Sequence, residues 1–282
     1  MSDQSGEPRY GVRREPSEPA PVATGTNEPG SAPRPTSRTP RGPSPIFLGL
    51  VALAVASGWA LFTGFGPSGI VAFVFVASLW VISLCLHEFA HAAVAYRYGD
   101  HSVVHRGYLT LDPLKYTHVV YSLVLPLLFV LLGGIGLPGG AVFIDRSALR
   151  SRFASSAVSA AGPLTNIAVA VILALALAFR EGSSPFWAAL AFLLFLQVTA
   201  AILNLLPIPG LDGFGILEPY LPREWLAGAA RIAPFAVLGI FALLWIPTVN
   251  QAFFAAITGI IRLLGVPPIL VGSGYNLFQF WF

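Results

Sequence analysis

Residues 86–92 read Leu-His-Glu-Phe-Ala-His-Ala and lie inside an apolar stretch running from Ile70 to Tyr98. On a helix, positions four apart sit on one face, separated by about 40° around the axis. His87 and His91 therefore offer two imidazoles to one cation, with Glu88 beside them to handle a proton. Elsewhere the stretch is sequence that belongs in lipid, where ionisable side chains are costly and usually functional. Three such groups within five residues need a shared reason, and a bound metal supplies one.

Composition agrees with the lipid setting. Hydrophobic residues make up 55% of the chain and charged residues 10%, against roughly 25% charge in soluble domains. Several apolar runs approach the ~20 residues needed to cross a bilayer. The expected class is an all-α polytopic membrane protein with about six transmembrane segments. A formal net charge of +3 gives no case for nucleic acid as a partner. Cys85 is the sole cysteine, which excludes an intrachain disulfide and a thiolate cluster; in a helix it reads as a small buried hydrophobe. Arginine is used almost to the exclusion of lysine, and abundant alanine beside it points to a GC-rich bacterial source.

Residues 1–45 are different in kind: ten prolines, mixed Arg and Glu, and almost no large apolar side chains. Such a segment cannot bury enough surface to offset chain entropy, so a disordered tail is expected. It does not read as a signal peptide, because the first apolar run begins only at Ile46. Residues 46–282 form the expected membrane domain, with a core at 70–213.

The first span is expected at Ile46–Thr63. Arg34, Arg38 and Arg41 precede it and favour a cytoplasmic N-terminus. The second, Ile70–Tyr98, returns to the cytoplasm carrying the two histidines in its later half. The next apolar run, Val119–Leu137, poses a parity problem: if it crosses, Arg146, Arg150 and Arg152 land outside. Pro126, Gly133–Gly134 and Pro138–Gly140 interrupt the run, and irregular backbone is tolerated at membrane depth where it lines a protein cavity. A re-entrant Gly/Pro-rich segment competes here with a genuine span. Phe153–Phe179 then rises and Phe186–Leu206 descends, which brings Asn204–Gly213 level with His87 and His91. Ile232–Gly265 is broken by Pro247 and reads as one kinked helix or a tight hairpin.

A catalytic zinc takes three protein ligands, usually His and carboxylate, and leaves one position open. Few acidic residues lie near lipid depth. Asp212, within Asn204-Leu-Leu-Pro-Ile-Pro-Gly-Leu-Asp-Gly213, is the strongest third ligand, with Asp112 and Asp145 as the other carboxylates to test. Pro207 and Pro209 unwind the helix end, and Gly210 and Gly213 permit unusual backbone angles, so a carboxylate can turn inward. Taken alone, the segment would read as a polar loop. Ala161-Gly-Pro-Leu-Thr-Asn166 is a third polar interruption, early in the Phe153–Phe179 span. Ala161 and Gly162 suit close helix packing; Asn166 either braces a neighbouring helix or bonds a peptide. His101 and His105, also four apart, lack helical apolar context and a base nearby, and His118 sits at the start of an apolar run, where the interface is expected; all three are left out of the site.

HExxH in a hydrophobic helix, then AGPLTN, then NLLPIPGLDG resembles the site-2 protease family of intramembrane zinc metalloproteases, over about Ile70–Gly213. The resemblance implies one zinc held by His87, His91 and Asp212, Glu88 as catalytic base, and Asn204 in a supporting role near the scissile peptide; Asn166, from its place in the span alone, is kept as a further candidate substrate contact. It implies an endopeptidase acting on single-span membrane proteins within the bilayer, and no PDZ or CBS domain is expected here. The rival function is a metal transporter or sensor that binds through the same ligands without hydrolysis. It predicts acidic or histidine residues spread along a path, whereas these form one cluster.

Overall fold

The computed structural model describes residues 42–116 and 142–281. Residues 1–41 of the Pro-rich segment, His118, and the choice between span and dip over Val119–Leu137 lie outside the described residues. Those described are helical, with short 3-10 turns and no strand among them.

Helix α1, Pro45–Thr63, starts where Ser44 Oγ accepts from the Phe47 N–H at 3.1 Å, one of the donors a helix start leaves unpaired. Pro45 fits the first turn, where it would have no partner for an N–H anyway. Helix α2, Ser68–Tyr98, ends at Gly99, whose φ of 121° favours glycine. A compact run of turns follows to Tyr116, whose hydroxyl donates to the Cys85 carbonyl at 3.1 Å. Cys85 itself is fully buried. Helix α3, Arg152–Ala178, is capped by Ser151, and helix α4 spans Pro185–Asn204.

The polar AGPLTN segment lies within one continuous helix, as a span over Phe153–Phe179 requires. Helix α3 runs through Pro163 unbroken, although proline there removes one backbone donor. These four helices are long and apolar enough to cross a membrane. Of the most apolar window in α4, 78% is buried, against 28% in α1, so α4 is the central post and α1 a lipid-facing outer one. The core joins α2, α3 and α4 through Val76, Trp80, Leu173, Leu177, Leu190 and Leu194.

Beyond α4 the chain makes α5 (Asp212–Leu217), α6 (Arg223–Ile232), α7 (Ala236–Leu244), α8 (Pro247–Leu263) and α9 (Pro268–Phe278). The stretch expected as one kinked helix or hairpin is cut ahead of Pro247, since proline serves as a helix start and not as an interior residue. Two bent pairs result. Residues 223–235 and 238–244 meet at 72°, and α8 and α9 at 114°; counted as one span each, they raise the total to six. Helix α9 was not foreseen. It docks on α4 where Gly274 faces the Ala188 carbonyl so closely that any Cβ would overlap it, and its Phe278 is fully buried.

Candidate metal centre and active site

The later half of α2 places His87, Glu88 and His91 against α3, and all three are buried. Their ring nitrogens are already sorted. His87 Nδ1 lies 2.6 Å from Asn166 Oδ1, and His91 Nδ1 lies 2.7 Å from the Val158 carbonyl. Both partners can only accept at those atoms, so each Nδ1 carries the proton and each Nε2 presents a lone pair. The two Nε2 atoms face one another at 3.1 Å. Asp212, at the start of α5, completes the cluster with Oδ2 at 3.2 Å from His87 Nε2 and Oδ1 at 3.4 Å from His91 Nε2.

Acceptors meeting with no proton between them repel unless a cation shares their lone pairs. Donor type and spacing fit zinc: bonds of about 2.0–2.1 Å in a tetrahedron put neighbouring ligand atoms about 3.3–3.4 Å apart. His87, His91 and Asp212 are the one group of three or more such residues, among those described, whose ligand atoms converge to share an ion.

Local sequence explains how Asp212 arrives there. Pro207 and Pro209 end the α4 ladder, and the chain turns back through Ile208 N–H to Leu206 O and Leu211 N–H to Ile208 O. Gly210 takes a φ of +96°. Gly213 is needed for space and not for an unusual angle: a Cβ there would overlap the Leu205 and Leu206 carbonyls. Ser156 Oγ then ties α5 to α3 by donating to the Ile216 carbonyl at 2.7 Å. Asp112 and Asp145 are engaged elsewhere. Asp112 caps the Leu114 N–H. The Ser147 hydroxyl and amide bond to Asp145 and hold its carboxyl below the ordinary carboxylate range.

Glu88 stands beside the cluster and outside it. Its Oε1 is 3.9 Å from His87 Nε2, and its Oε2 accepts from the Val142 N–H at 3.1 Å. A cavity of ≈ 250 Å³ opens onto these groups, lined by Glu88, His91, Asp212, Val142, Ile144 and Arg146. Arg146 is the one cation lining this opening among the described residues. It donates to Ser155 Oγ at 2.7 Å and Ser159 Oγ at 3.3 Å, and pairs with Glu218 at 3.3 Å.

Asn166 is committed to His87: its Oδ1 faces Nδ1, and its Nδ2 donates to Gln197 Oε1 at 3.2 Å. Gln197 in turn donates to Ser83 Oγ at 2.7 Å. Ser83 and Gln197 were not foreseen. The signal available was polarity itself, since a glutamine alone in an apolar span needs partners. Asn204, buried at the end of α4, has no side-chain hydrogen bond among the described residues. His101 and His105 are exposed, outside the cluster.

Gly162 is the least expected member. Sequence reading assigns it to helix packing, and the packing is against the site: a Cβ would overlap Nε2 of both His87 and His91. Gly162→Ala should therefore cut zinc affinity by more than the about 10–100-fold that losing an outer hydrogen-bond partner costs. Zinc per chain in the purified, folded variant measures this, and full retention would mean that the rings have room to move.

Known proteins place this arrangement. A protein from Mycolicibacterium smegmatis named "Putative zinc metalloprotease Rip2" is 47% identical over 245 residues, covering 85% of this chain and 94% of its own. Its Mycobacterium tuberculosis namesake is 46% identical over the same shares. A Bacillus subtilis protein named "Putative zinc metalloprotease YwhC" is 32% identical over 157 residues, covering 50% of this chain and 67% of its own. No protein-family model matches the chain, and no solved structure does. The chain belongs to the site-2 protease family of zinc metalloproteases.

Proposed function

We propose that this chain hydrolyses a peptide bond within, or next to, the transmembrane segment of single-span membrane proteins, with zinc held by His87, His91 and Asp212 and Glu88 as general base. The observation that carries the reading is the convergence of acceptor atoms from three side chains on one point, with a buried carboxylate alongside. Zinc bound there supplies Lewis acidity toward the peptide carbonyl and lowers the pKa of a water toward ~7. Glu88 takes a proton through Oε1, the oxygen nearer His87, and returns it to the leaving amine. Asn166, with Gln197 behind it, holds the His87 ring and so fixes its Nε2; its own polar atoms are occupied, and we assign it to positioning. Asn204 has its amide to offer to the substrate backbone or the developing oxyanion. Because a helix satisfies its own backbone, the substrate must unwind before attack.

A transporter or sensor would need ligands along a path. The described residues hold a single converging group, and Glu88 lies off it with a role only in hydrolysis. The full chain in lipid vesicles with a single-span substrate should stop cleaving when zinc is chelated and resume at one zinc per chain. Cleavage by the metal-free protein would contradict the proposal.

Arginine bias supports a cytoplasmic N-terminus in a bacterial cell membrane, with the Arg146–Arg152 loop on the same side. Exposed Ala148 and Ser183 test this as single cysteines on a Cys85→Ala background. In intact cells an impermeant thiol reagent should label position 183 and leave 148 untouched; labelling at 148 would reverse the orientation or make 119–137 a true crossing.

A further inference from the structure

We infer that Asp100, a buried carboxylate outside the metal site, is a positioning residue for Glu88; the inference rests on the reading of Glu88 as the base. Asp100 is 1% exposed, and a charge so placed is costly unless hydrogen-bonded. Its Oδ1 accepts from the Ser102 N–H at 2.9 Å, a local turn bond. Its Oδ2 accepts from the Asp145 N–H at 2.8 Å, 45 positions away. The second bond fastens the end of the Val142–Asp145 segment to the end of α2.

The same segment begins at the catalytic carboxylate. Val142 N–H makes the one hydrogen bond that Glu88 receives among the described residues. It occupies Oε2 and leaves Oε1 toward His87. A buried carboxylate with a single donor takes its orientation from that donor, so whatever fixes Val142 fixes Glu88. Three residues on, Asp145 is held by Asp100. The following turn sits flush on α2: Arg150 N–H donates to the Tyr98 carbonyl at 3.3 Å, and a Cβ on Gly99 would come within 2.8 Å of the Ala148 carbonyl. Arg146 fastens the same point to α3 through Ser155 and Ser159. Two carboxylates, Glu88 on α2 and Asp100 just past its end, thus hold the two ends of one short segment.

The bond can be deleted from the loop side with little disturbance. Asp145 has a φ of −78°, within the range proline imposes. Asp145→Pro removes the N–H that Asp100 accepts, whereas Asp145→Ala keeps it; both lose the Ser147 cap, so that loss cancels in the comparison. Asp100→Asn is the partner variant, because an amide offers one acceptor where two are needed. In lipid vesicles with a single-span substrate, Asp145→Pro and Asp100→Asn should each lower kcat about ten- to a hundred-fold relative to Asp145→Ala, the scale expected for a displaced catalytic group. KM and zinc content should stay unchanged, and the double variant should be no worse than the poorer single one. Equal kcat in the proline and alanine variants, a change confined to KM, or loss of zinc or of folded protein in both test variants would overturn the inference; the last would make Asp100 a structural anchor only. If Glu88→Gln is inactive while Asp145→Pro matches Asp145→Ala, only the positioning role fails. A fully active Glu88→Gln would remove the base on which it rests.

Discussion

Asp212→Ala should leave the protein folded in the membrane and nearly free of zinc, with cleavage of a single-span substrate lost. The carboxylate supplies the third side of the cluster, at 3.2 Å from His87 Nε2 and 3.4 Å from His91 Nε2, and alanine leaves two imidazoles with no charge to balance the ion. The fold should tolerate the loss, because α5 is also held by Ser156 and by the Arg146–Glu218 pair at its end. That pair is partly exposed and contributes little on its own; the Ser156 bond and the glycine contacts of α5 carry the docking. Asn166→Ala removes only the acceptor that fixes the His87 ring and should cost about 10–100-fold in metal affinity. Zinc content should therefore fall in the order wild type, Asn166→Ala, Asp212→Ala. An Asp212→Ala protein with full zinc and full cleavage would place the third ligand elsewhere.

Much of this site was legible because its signals are local. Two histidines four apart with a glutamate between them define a helix face wherever the helix runs, and the prolines and glycines before Asp212 announce a turn. The four spans α1 to α4 were legible for a similar reason, since the length of an apolar run sets the length of a crossing helix; the expected limits differ from the observed ones by a few residues. What escaped depends on distance through space. Nothing in the local sequence says that Gly162 faces two imidazoles, that Gln197 on α4 reaches Ser83 on α2, or that Asp100 meets an amide 45 positions on. In the C-terminal third, hydropathy reports apolar length and not bend angle, so the 114° turn between α8 and α9 and the docking of α9 on α4 could not be read.

The most direct measurement is made on Glu88→Gln. Glutamine keeps the size of the side chain and can still accept from the Val142 N–H, yet it does not take up a proton at neutral pH. Adjacent helix positions are ~100° apart, and Glu88 stands outside the group of converging ligand atoms, so the metal site should be left whole. A general base contributes about 10²–10⁴-fold, enough to turn complete processing of a co-expressed single-span substrate into none on a gel. Zinc per chain and cleavage, measured on the same preparation, decide the matter. The expected result is zinc at one per chain with cleavage gone; normal cleavage by Glu88→Gln would contradict the hydrolytic role of this site.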